Sequence, residues 1–370
     1  VNQTVFSRMM SGDTGIDLYH SAVSETYQDL FGQGIYAGKG IYDVRAFSQS
    51  VEGRVPTNAV LSHDLLEGIL GRAALASDIV VLENASPNLA AELKRQHRWI
   101  RGDWQLLPWL LPIRGGEQHR DVDLLGRWKL FDNLRRSLLP PSLLVLYFAG
   151  WVLIPEYGGL WTIAVALAPA LGIAYSFLGN LRRSALRWGT LRSTSIRLAG
   201  NLGKQVAQWL VNLAVLPIVT LTALDAVTRT LVRVTVTRRN LLEWTPAAQT
   251  ERTGVGAGLF ASYRRALVAP IAGLAAMSVA VLNEPTNVLA AVLGAVWCAA
   301  PLLTWVMARE RPETEQLHDT ATAELRTLAR RTWQFYERFV GPETHWLPPD
   351  NYQEAPKLSV AERTSPTNIG

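Results

Sequence analysis

The chain has 370 residues, 48% of them hydrophobic, and a formal net charge of +5. That length admits two or more domains. A lone cysteine, Cys298, excludes an internal disulfide framework and a cysteine-based zinc site, and arginines gathered beside apolar runs read as membrane flanks rather than a nucleic-acid-binding face.

Residues 1–60 are polar and punctuated by Gly12, Gly15, Gly32, Gly34, Gly38 and Gly40, which predicts loops and short strands rather than long helices. Within them, residues 31–43 combine Gly34, Tyr36, Lys39 and several further glycines. Flexible glycine lets a main chain approach a ligand closely, and a tyrosine face can carry a sugar. The spacing is neither a Walker nor a Rossmann pattern. Two readings stand for this stretch: a ligand-approaching loop, or a plain surface loop between strands.

A short helix is expected between Asp43 and Ala59, ending in a turn at Val55-Pro56-Thr57-Asn58. Leu65, Ile69, Leu70 and Ala73 recur with helical spacing over residues 64–76, with Ser62 or His63 before the helix and Asp64 in its first turn. A carboxylate there is stabilised as the anion by the helix dipole, so Asp64 is either a helix-terminal residue or a catalytic acid or base. Residues 78–83 read as a strand, and residues 88–104 as a helix that bears Lys94, Arg95, Gln96, Arg98, Trp99 and Arg101. His63, His97 and His119 lack metal-ligand spacing and read as structural or hydrogen-bonding histidines.

Residues 123–139 form an amphipathic pattern that suits a membrane interface. Apolar runs follow at 141–154 and 160–178, and a close pair at 266–282 and 288–308. The run at 206–227 holds Gln208, Asn212 and Pro217 and has basic sequence on both sides. It either spans against the positive-inside rule or is bent, re-entrant or interfacial. Several of the thirteen tryptophans lie near these expected boundaries, where an amphipathic ring is favoured. A helix is expected at 320–339, followed by a Pro-rich extended tail. The absence of a starting methionine and the abrupt close at Asn368-Ile369-Gly370 suggest a piece of a longer chain.

Seven blocks, at residues 7–17, 31–43, 61–68, 95–109, 238–249, 346–354 and 363–370, together resemble the cyclic β-1,2-glucan synthases. The resemblance implies a GT-A-like α/β glycosyltransferase domain, here its C-terminal half over residues 1–112. An interfacial helix at 113–137 and a transmembrane helical region at 138–308 would follow, giving a chain that is mostly α overall. Residues 309–370 would be a cytoplasmic helix and linker to a phosphorylase-like domain. The implied activity is an inverting, processive transfer of glucose from UDP-glucose to a growing β-1,2-glucan. The implied place is a bacterial inner membrane, multi-pass, with the catalytic part cytoplasmic. The lipid bilayer and the upstream and downstream parts of the same polypeptide are the implied partners, and no nucleic acid.

By the same resemblance, Asp64 matches the acid of a Thr-Glu-Asp motif, written Ser-His-Asp here, and is the general base on the acceptor hydroxyl. Gln96, Arg98 and Trp99 match a Gln-(Gln/Arg)-x-Arg-Trp motif that holds the donor diphosphate and the acceptor end, with Arg95 at its first position. Gly34, Tyr36 and Lys39 lie where relatives line the acceptor site. The divalent cation, Mg2+ or Mn2+, is expected to find its ligands upstream of Val1, since Asp13 and Asp17 are not that motif; the segment alone is therefore expected to be inactive. A non-catalytic membrane transporter or scaffold is the alternative, and a soluble phosphorylase a third.

Overall fold

The computed structural model describes residues 4–10, 26–36, 38, 40–60, 63–76, 86–111, 122–175, 177, 191–243, 258–282, 287–309, 319–354, 357–361 and 363–364, with residues 191–198 and 319 described as backbone only. Two compact units result, Val1–Arg311 and Pro312–Gly370.

The first unit is built of helices and connecting loops among its described residues. Its polar beginning holds α1 (Val5–Met10), a helical turn at 26–31, and α2 (Val44–Val51), which Asp43 caps by accepting from Ala46 N–H at 2.8 Å. The short strands expected in residues 1–60 are not found among the described ones, and the strand expected at 78–83 lies outside them. Local capping and burial outweigh the glycine punctuation here. Phe6 of α1, for instance, is buried against Val211, Val215 and Ile218.

Next come α3 (Asp64–Gly71), α4 (Leu89–Gln105) and the single turn α5 (Leu107–Leu110). Asn88 caps α4 through a bond from Ala91 N–H at 2.9 Å. Leu65, Leu66, Ile69 and Leu70 put one face of α3 into a core with Leu106, Trp109, Val122 and Leu130. That core fixes α3 against the long helix α6 (Leu124–Leu153), which Asp123 caps.

The expected separation of an interfacial helix from a first span is not seen, because α6 runs unbroken through Pro140 and Pro141. A proline removes one intrahelical donor. Packing on both sides of the pair, through Leu134 and Ser137 before it and Leu143, Tyr147 and Trp151 after it, holds the helix together. The run at 160–178 is also not one helix. After α7 (Gly158–Leu167) the chain turns at 168–170, where Pro169 interrupts it.

The apolar run at 206–227 is bent. Helices α8 (Leu191–Ala214) and α9 (Leu216–Val232) meet at 66°, with Pro217 in the first turn of α9, where its missing N–H costs little. Gln208 is satisfied by donating to the Met9 carbonyl at 2.7 Å. Helix α10 (Leu259–Arg265) meets α11 (Val268–Leu282) at 71°, and α12 (Val288–Met307) returns antiparallel to α11. Gly273 and Gly294 let these two backbones touch, as membrane helices do where small residues face each other.

Among the described residues two helices, α6 and α12, are long and apolar enough to cross a membrane, or up to four spans if each bent pair counts as one. Outward residues such as Val145, Ile271, Leu274 and Val292 are exposed apolar groups on these helices. Trp151 and Trp297, by contrast, lie fully buried with Tyr147 in an inter-helix aromatic cluster. Their indole N–H groups donate to Thr162 Oγ1 at 2.8 Å and the Leu213 carbonyl at 2.9 Å, so these two rings hold helices together instead of marking a membrane boundary.

The second unit is α13 (Asp319–Phe339) and a minimal hairpin, β1 (Tyr352–Gln353) with β2 (Ser359–Val360), antiparallel with Tyr352 opposite Val360. Phe339 stacks on Tyr352 at 4.7 Å, which docks the hairpin on the helix end.

Candidate functional site

Asp64 begins α3, and its side chain is exposed. Arg72 in the left-handed conformation ends the helix. Just before it, His63 is the helix cap and its N–H donates to Glu67 Oε1 at 3.3 Å. The glycine-rich loop folds over this helix. Gly34 donates to the Ala73 carbonyl at 2.7 Å, and Tyr36 packs on Gly68, where a Cβ would lie 2.6 Å from the Tyr36 Cβ. Gly38, at φ +86°, approaches the Asp64 carboxylate so closely that a Cβ there would lie 2.8 Å from Oδ2. Glycine is therefore required at both contacts, for space at Gly68 and for space and conformation at Gly38. The structure thus brings Gly34, Tyr36 and Gly38 together with Asp64; Lys39 lies outside the described residues.

Lys129 on α6 anchors the same loop from the other side. Its ammonium is buried, donates to the Gly34 carbonyl at 3.2 Å and lies 5.1 Å from the centre of the Tyr27 ring. Nothing in the sequence singled this lysine out: its position in the amphipathic pattern of residues 123–139 reads as surface charge.

Gln96, Arg98 and Trp99 are all on α4. Gln96 donates to Glu92 Oε1 at 3.1 Å, Arg95 pairs with Glu92 at 2.8 Å, and Arg95 covers the half-exposed Trp99 ring at 4.8 Å. Helical spacing puts Gln96, Trp99 and Asp103 in one stripe, and Arg98 one turn before Gly102. Near the C-terminal end of α4, Gly102 and Asp103 meet His63. Asp103 Oδ1 bonds His63 Nε2 at 3.0 Å, and a Cβ on Gly102 would lie 3.1 Å from the His63 ring. So the helix that bears Arg98 and Trp99 is tied to the residue next to Asp64. The opposite face of α4 grips α9 and the turn after it. His97 bonds Asp225 at 2.9 Å, Arg101 donates to the Glu243 carbonyl at 3.2 Å, and Gln105 donates to the Leu241 carbonyl at 2.8 Å.

His63 and His97 are thus hydrogen-bonding histidines with carboxylate partners, while His119 lies outside the described residues. Burial pushes the His97 ring below its ordinary pKa, outweighing the neighbouring Asp225. Burial, then Arg233, pushes Arg101 down as well. Among the described residues no three His, Cys, Asp or Glu side chains are grouped to hold a metal ion. Those residues therefore offer no ligand set for the divalent cation implied by the resemblance.

An exposed carboxylate at a helix N-terminus can take a proton from an incoming hydroxyl. A half-exposed indole beside an arginine can stack on a sugar and face an anion. No family model matches the chain. It is 37% identical, over 99% of its own length, to the cyclic beta-(1,2)-glucan synthase NdvB of Rhizobium meliloti (strain 1021). The chain spans 13% of that relative's length.

Proposed function

We propose that this chain is the acceptor-side part of a membrane-bound, inverting, processive glucosyltransferase that builds β-1,2-glucan from UDP-glucose. The near-complete alignment with a cyclic glucan synthase carries this reading. The placement of Asp64 under a glycine loop, beside a helix bearing Arg98 and Trp99, supports it.

In the reaction, the acceptor hydroxyl gives its proton to the Asp64 carboxylate as its oxygen bonds the glucose C1. The bond from C1 to the diphosphate oxygen breaks, and UDP leaves with that electron pair. Attack from the face opposite the leaving group inverts the anomeric centre and gives the β linkage. Arg98 supplies positive charge toward the departing diphosphate, and Trp99 stacks under the acceptor sugar. Gly34, Tyr36 and Lys39 line the acceptor side, with Gly38 closing over the base. The remaining donor contacts and the divalent-cation ligands belong to parts of the protein outside the described residues. The apolar helices hold the site at the cytoplasmic face of the bacterial inner membrane, where nucleotide sugars are made.

The test is direct. Membranes carrying the full-length protein are fed labelled UDP-glucose with Mg2+ or Mn2+, and the polymer is examined by methylation analysis. The expected product is 1,2-linked glucan; another linkage contradicts the product assignment, and no incorporation returns the chain to a transporter or scaffold.

A further inference from the structure

One carboxylate oxygen joins three elements of the first unit. Asp103 Oδ1, on α4, accepts from His63 Nε2 at 3.0 Å and from Asn133 Nδ2 on α6 at 3.0 Å. The junction is well covered, with the His63 side chain 11% exposed and that of Asp103 17%. In such a setting a hydrogen bond to a carboxylate is short, strong and directional. The ring lies on Gly102, where only a residue without Cβ avoids crowding its Cδ2. At its backbone, the same histidine donates to Glu67 one turn into α3. The residue joined by a peptide bond to Asp64 is therefore fixed at both ends. A carboxylate acceptor at Nε2 assigns the proton of the ring to that nitrogen, while the buried Nδ1 has no hydrogen-bond partner among the described residues.

We propose that His63 is a positioning residue: through Asp103 it sets the separation between the Asp64 carboxylate and the face of α4 that presents Arg98 and Trp99. The inference rests on the function proposed above. The geometry gives the reason. Asp64 abstracts a proton on one side of the reacting centre, and Arg98 faces the leaving group on the other, so their spacing must match one transition state. A shift of about 1 Å in such a spacing costs on the order of a hundredfold in rate. Asn133 extends the tie to α6, so the long apolar helix, the base helix and the Arg-Trp helix share one reference point. Bonds to substrate are not involved, so donor affinity should be nearly indifferent to His63.

The test compares H63L, H63Q, D103L, D103N and the double variant H63L/D103L in the full-length protein, measuring kcat and KM for UDP-glucose. H63L is expected to lower kcat tenfold or more with KM unchanged within twofold. H63Q places an amide N–H near the position of Nε2 and should recover kcat to within threefold of wild type. D103N keeps Oδ1 as an acceptor and should do the same. The double variant should lose no more than D103L alone, since D103L already removes the bond to His63. Should H63L fail to accumulate, H63N, whose amide is too short to reach Asp103, carries the same expectation. Wild-type turnover in H63L or H63N overturns the proposal, as does an equal loss in H63Q, or a loss confined to KM. A wild-type protein that makes no β-1,2-glucan overturns the base assignment and this proposal with it. An active wild type with unaffected His63 variants overturns this proposal alone.

Discussion

Replacing Gly38 by alanine probes the contact between the loop and the proposed base. A Cβ at Gly38 would sit 2.8 Å from Asp64 Oδ2, 3.2 Å from Cγ and 3.3 Å from Oδ1, whereas ordinary contacts begin at 3.4 Å. Loop or carboxylate must therefore retreat by about 0.6 Å, the difference between 3.4 and 2.8 Å. Two costs follow. The φ of +86° makes alanine unfavourable by about 1–2 kcal/mol, a loss of stability. The displacement of the base acts on turnover, where a misplacement of about 1 Å costs on the order of a hundredfold, so roughly a tenfold loss is expected. Gly32→Ala separates the two. Gly32 also has a positive φ, +65°, but nothing lies within 4 Å of its would-be Cβ. Thermal unfolding and glucan synthesis are measured for both variants in the full-length protein. Similar losses of stability with turnover reduced only in G38A support the reasoning; equal turnover in the two variants refutes it.

Further expectations concern the loop, the pH response and the helix pair. Lys129→Met removes the donor to the Gly34 carbonyl and should speed amide exchange over residues 34–38, read by mass spectrometry, while leaving exchange in α12 unchanged. His97, buried beside Asp225, Arg101 and Arg229, has its folded pKa below the ordinary 6.5, so the unfolded chain binds more protons between the two values. The stability it contributes is therefore complete above pH 6.5 and is lost as pH falls from 6.5 through the folded pKa. Unfolding scans over that range should show this slope in wild type and a flatter one in H97F. Gly273→Ala drives a Cβ into the Gly294 backbone and should cost about 1–3 kcal/mol. Gly203→Ala, in α8 with open space around it, should gain up to about 1 kcal/mol. Thermal unfolding in detergent checks the opposite signs.

Much of the helical framework was legible because its signals are local. Residues 88–104 and the start of the helix at 123 read as helical, the Leu65–Leu70 spacing as a buried face, and Pro217 as a bend. What misled was a local signal overruled by tertiary packing. Pro140-Pro141 reads as a break, yet α6 continues because both flanks are packed. Tryptophans near apolar runs read in general as boundary rings, yet Trp151 and Trp297 are buried and each donates to an acceptor on another helix. The candidate site was half legible. Asp64, Arg98 and Trp99 stand out as residue types in a motif, and the glycine loop by its composition. The bonds of His63 and Asn133 to Asp103, and of Lys129 to Gly34, span 30 to 95 residues of sequence. No periodicity or spacing can reveal such pairs; only the packing of α3, α4 and α6 creates them.

The central claim is that Asp64 is the base on the acceptor hydroxyl, and Asp64→Asn tests it most directly. The amide keeps the size of the side chain but cannot accept the proton. In the full-length protein, glucan synthesis from labelled UDP-glucose should fall by about 10²–10⁴-fold, with unfolding temperature and UDP-glucose affinity unchanged. Synthesis within a few-fold of wild type in a folded D64N protein would contradict the account.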